Sequence, residues 1–111
     1  MADPTALTFS DGRIATTIDL QTYRLTAVKK AAYRLAERLT AVLGSTEDSM
    51  LGITFTFKAS TDAKAATESV RLFFQELLDQ ELREQIAEET APMRTLILAH
   101  AFSKTDLINR E

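Results

Sequence analysis

The segment TALTFSDGRIATTIDL, residues 5–20, constrains the fold more than any other, because apolar and polar residues alternate on both sides of Asp11-Gly12. Asp-Gly between two alternating runs favours a type I′ hairpin, whose two central residues both need positive φ. The pleat then puts Leu7, Phe9, Ile14, Ile18 and Leu20 on one face. Thr8, Arg13, Thr17 and Asp19 look the other way. A hairpin with one apolar face has to be covered by something else in the chain.

From Gln21 to Leu43 the period changes. Leu25, Val28, Ala32, Leu35, Leu39 and Val42 recur at helical steps, and Gly44-Ser45 offers a stop. GSTEDS reads as a polar loop. MLGITFTFKA alternates again, with Ile53, Phe55 and Phe57 opposite Thr54, Thr56 and Lys58, which predicts a half-buried strand over 51–58 alongside one over 13–20. Asp62 is placed to cap a long helix reaching about Glu89, with Val70, Phe73, Phe74, Leu77 and Leu78 along one side. Leu82 and Ile86 drift off that side. Pro92 predicts a break, with Thr90 capping a short final helix over 91–102 and SKTDLINRE as a frayed tail.

The expected order is β-β-α-β-α-α. Each strand has one apolar face, so the fold class expected is α+β, a two-layer sandwich of a three-stranded sheet with helices on one face. The 111 residues are expected to form a single domain, 1–111. If the second and third strands are parallel, the helix between them should make a right-handed crossover.

The chemistry that is missing narrows the function. There are no cysteines, so disulfides, thiolate metal sites and a cysteine nucleophile are excluded. No apolar run approaches the length that spans a bilayer, and no secretory signal is expected from MADPTALTFSDGR, so a cytoplasmic protein without membrane contact is the default. The three glycines stand singly at 12, 44 and 52, so no phosphate-cradling loop forms. His100 is the single histidine and lacks companions for a zinc site. No cofactor and no metal are expected.

Charge is divided between the helices. Glu68, Glu76, Asp79, Glu81, Glu84, Glu88 and Glu89 crowd the second, where a solvated helix face is the ordinary reading. Arg24, Lys29, Lys30, Arg34 and Arg38 line the first, with Tyr33 among them and only Glu37 opposing. Complementarity between these elements, or between subunits, explains both better than nucleic-acid binding does. Leu82, Ile86, Met93, Ile97 and Leu98 exceed what one small sheet can cover, which predicts a homodimer or a hetero-complex.

The stretch LLDQELREQIAEETAPMRTLILAHAFS resembles the C-terminal half of the HxsD family, the His-Xaa-Ser system protein D. Glu76, Leu77, Asp79, Leu82, Arg83, Glu84, Ala91-Pro92, Arg94, Ile97 and Ala101-Phe102 carry the likeness. TIDLQTYRLTAVKKAAYRLAER is similar to the family's N-terminal half through Tyr23, Ala27, Ala31-Ala32-Tyr33 and Arg34. Gln80 stands where the family often has tyrosine. The two blocks cover roughly residues 17–40 and 74–103. The resemblance implies a place beside two radical SAM proteins and a small protein bearing His-Xaa-Ser repeats, in a peptide-maturation system. HAFS spaces its histidine and serine wrongly for the repeat, and the chain lacks the cysteines of a radical SAM cluster. What is implied is a non-catalytic accessory protein that binds a radical SAM partner or the precursor peptide, with Asp79, Arg83, Glu84 and Arg94 as the partner-binding residues. The rival readings are a small hydrolase or lyase built on Asp79, Arg83 and His100, and a homodimeric structural protein without cargo.

Overall fold

The computed structural model describes residues 8–109, with side chains through Ala101. The elements are β1 (Phe9–Ser10), β2 (Arg13–Asp19), α1 (Leu25–Arg34), β3 (Thr40–Glu47), β4 (Met50–Thr56) and α2 (Ala63–Asn109). The chain divides into two compact units, Met1–Glu81 and Leu82–Glu111. The fold is α+β as expected, but the sheet has four strands, all antiparallel, in the order β1-β2-β4-β3.

In the first unit the hairpin forms where the alternation placed it. Asp11 and Gly12 take φ of 54° and 72°, the left-handed pair a type I′ turn requires, and Phe9 falls opposite Ile14. Leu7, expected on the same face, lies outside the described residues. Registration of β2 on β4 sets Ile14 against Phe55, Thr16 against Ile53 and Ile18 against Leu51. That side of the sheet is therefore apolar. It is covered by Ala27, Val28 and Ala31 of α1 and by Ala66, Val70, Phe73 and Leu77 of α2, all buried in one cluster. The Phe55 and Phe73 rings meet edge to face, with centroids 4.8 Å apart. Asp62 caps α2 as expected, its Oδ1 accepting the Ala65 N–H at 2.8 Å.

The missed strand is β3. A helix was expected to run to Leu43, yet α1 ends at Arg34 and the chain turns through 35–38 into a strand. Leu39 is buried and Ala41 and Leu43 half-buried, while Thr40, Val42 and Gly44 are exposed. This period of two overlaps the helical steps Leu35–Leu39–Val42, and pairing against β4 decides between them. The expected polar loop GSTEDS is strand plus a two-residue turn, in which Asp48 and Ser49 hold φ of 49° and 67°. Gly44 is not a helix stop. A Cβ there would lie 3.2 Å from the Gly52 carbonyl oxygen, a tight contact, so the close approach of β3 to β4 favours glycine. Because β2 and β4 are antiparallel, the expected crossover does not arise.

Pro92 does not break the last helix; α2 continues through it to Asn109 and includes residues 103–109 of the segment expected to fray. A proline leaves the carbonyl four residues earlier without its helical donor. Side chains serve the carbonyls of that turn. The Thr90 hydroxyl donates to the Ile86 carbonyl at 2.8 Å, and Arg94 Nη2 donates to the Ala87 carbonyl at 2.9 Å. Thr90 thus bonds back into a continuing helix instead of capping a new one.

Candidate functional site

α1 meets α2 within the first unit through two carboxylates. Glu81 continues the buried stripe Ala66–Val70–Phe73–Leu77 by one more helical step and is itself only 5% exposed. It accepts the Arg24 backbone N–H at 2.8 Å and Arg24 Nε at 3.2 Å. Arg24 is the N-cap of α1 and has no side-chain cap of its own, so Glu81 supplies from α2 the negative group that a helix start favours. Glu81 was read as one member of a solvated carboxylate face. Its i+4 spacing from Leu77 was the available signal that it faces inward.

One turn earlier, Glu76 Oε1 accepts Arg34 Nε at 3.2 Å and Gln80 Nε2 at 2.9 Å. Lys29, Lys30, Tyr33, Arg34 and Gln80 line a concavity of about 360 Å³ on this side. Tyr33 is 82% exposed. Residues from the two halves that carried the family likeness, Tyr33 and Arg34 in one and Glu76 in the other, are thus brought together in space.

Nearer the start of α2, Glu68 and Arg71 pair at 3.0 Å through Nε and Oε2, and Arg71 Nη1 reaches Gln75. The hydrogen bond from Arg71 holds the Glu68 carboxyl below the ordinary carboxylate range.

The expected partner-binding residues are distributed between the units. Asp79 is exposed on the first. On the second, Arg83 and Arg94 are exposed and Glu84 is half-buried, with Arg94 engaged at the Ala87 carbonyl. The hydrolase reading needed Asp79, Arg83 and His100 to converge across a bend at Pro92. Instead Arg83 and His100 lie on one continuous helix, where their separation in sequence corresponds to about 25 Å of rise. Those groups cannot share a substrate. Among the described residues no group of three His, Cys, Asp or Glu could hold a metal ion, and no helix is long and apolar enough to cross a membrane.

The other prominent surface is the sheet margin. β3 is an outer strand of eight residues, paired on one side to β4. Its pairing shifts register between Leu43 and Thr46. The exposed face beside it is built of small side chains, with Val42 next to Thr54 and Ala15 across the strands.

Fold and site together define a small antiparallel α+β protein in which one buried and one half-buried carboxylate brace the helices, with a strand edge and exposed helix faces as its open features. The chain belongs to the HxsD family, His-Xaa-Ser system protein HxsD, whose model matches residues 18–108. No curated protein and no solved structure matches it.

Proposed function

We propose that this chain is a non-catalytic accessory protein of the His-Xaa-Ser system, a cytoplasmic single domain over 1–111 that docks a radical SAM protein or the precursor peptide of that system. The observation that carries the proposal is the outer position of β3 in the sheet of the described residues. An eight-residue outer strand can accept an extended peptide as a further strand, with backbone hydrogen bonds giving affinity. Among the described residues the opposite margin, β1, has two residues and offers a shorter template than β3. Asp79, Arg83, Glu84 and Arg94 are assigned to charged contacts with the protein partner. Charged residues of this kind steer association and select partners more than they add affinity.

The test is titration of the full chain with a synthetic peptide carrying His-Xaa-Ser triplets, and separately with each purified radical SAM protein of the system, followed by amide NMR. The expected result is binding in at least one case, with the amides of 40–47 shifting and exchanging more slowly. Absence of binding in every titration, or binding that leaves the β3 amides unmoved, would overturn the proposal.

A further inference from the structure

The second unit carries an exposed apolar stripe in heptad spacing. Leu82, Ile86, Met93 and Leu96 occupy alternating positions of a seven-residue repeat, with Ile97 beside them, and they are between 48% and 71% exposed. A repeat of this kind favours a helical neighbour, because the seam stays facing a partner when two helices wrap around each other. Two polar residues interrupt the stripe between Leu82 and Ala101. They are Glu89 and His100, both exposed and both at seam positions.

We propose that this stripe pairs with the same stripe of a second copy of the chain, antiparallel about a two-fold axis. The polar interruptions select the occupant and its direction. Parallel pairing would set Glu89 against Glu89 of the second copy, two like charges at one seam position. Antiparallel pairing can set Glu89 against His100 of the second copy, and the two-fold axis then makes the reciprocal contact at the same time. In that register Met93 lies opposite Leu96 of the second copy, also twice. A single polar position in such a seam fixes register and partner direction. Here both polar residues are matched by one operation.

The flanking charges agree. Before Thr90, Glu84, Glu88 and Glu89 outweigh Arg83, whereas Arg94 and His100 follow it, so antiparallel copies lay the more acidic end of one along the more basic end of the other. In that register the apolar contacts of Met93 and Leu96 lie at the centre of the seam, between the two Glu89–His100 pairs. A different protein on this stripe would need its own match to a Glu–His pair separated by three helical turns.

Sedimentation equilibrium of the full chain, from about 1 to 200 µM, tests the proposal. The expected mass at the upper end is twice 12.3 kDa. Leu96→Lys and Glu89→Lys should each raise the dimer Kd at least about 100-fold, since every substitution enters a symmetric interface twice. Both positions are exposed, so far-UV circular dichroism should be retained. Combining Glu89→Lys with His100→Glu should bring the Kd back to within about tenfold of the parent, because the paired charges are restored in exchanged places. A monomeric mass throughout overturns the proposal. So does a dimer indifferent to both single changes, or a double variant that fails to recover.

Discussion

Replacing Glu81 by alanine should destabilise the first unit by about 2–4 kcal/mol. The figure follows from what the carboxylate does. It accepts the Arg24 N–H at 2.8 Å and Nε at 3.2 Å, and its side chain is 6% exposed. Hydrogen bonds to a charged group contribute about 1.5–3 kcal/mol when both partners are desolvated. The Arg24 side chain is 37% exposed, however, so its guanidinium rehydrates and that contact falls toward the 0–1 kcal/mol of surface pairs. The N–H at the start of α1 loses a cap, at about 0.5–2 kcal/mol. The one methylene that alanine lacks adds about 0.8 kcal/mol. Glu81→Gln keeps the stem and an acceptor for the N–H, so its cost should be nearer 1 kcal/mol. Arg24→Ala should also cost less than Glu81→Ala, because the backbone contact survives. Urea unfolding followed by tyrosine fluorescence reads the first unit alone, since Tyr23 and Tyr33 both lie before Glu81. The slope against urea should stay constant while the midpoint falls. A loss below about 0.5 kcal/mol for Glu81→Ala would refute the view that this carboxylate ties α2 to the start of α1.

Phe55 is fully buried against Phe73, so Phe55→Ala should cost about 3–5 kcal/mol by the same urea assay, while Thr56→Ser on the half-exposed side stays near neutral. Arg83 is exposed, so Arg83→Glu should leave the melting temperature nearly unchanged, within the 0–1 kcal/mol of surface pairs, and should weaken binding to the radical SAM partner measured by calorimetry. Glu68 should titrate below the ordinary carboxylate range by carboxyl carbon NMR, and Arg71→Ala should return it upward. Because the folded value is the lower one, whatever stability this pair adds is present above the unfolded carboxylate pKa and is lost as the pH falls through the folded one.

The parts of the fold legible in the sequence were those where one period ran without a rival. Asp11-Gly12 between alternating residues led directly to β1 and β2, and Ile53 and Phe55 led to β4. Residues 35–43 carried two periods at once. Leu35, Leu39 and Val42 fit a helix, whereas Leu39, Ala41 and Leu43 fit a strand, and only the bare flank of β4 favours the second. Such long-range pairing is not encoded locally. Pro92 shows the converse error, a strong local breaker that a long helix carries in its interior, with Thr90 and Arg94 bonded to the Ile86 and Ala87 carbonyls in the turn before it. The site followed the same logic. Glu81 sat in a run of carboxylates whose ordinary reading is solvent, although its spacing from Leu77 put it on the buried stripe. What the spacing alone could not provide was Arg24, separated from it by 57 positions in the chain. A carboxylate on an apolar stripe implies a cation or an N–H opposite it, because burying the charge without a partner costs several kcal/mol. The stripe of a helix therefore reports a tertiary contact even when it names only one of the residues that make it.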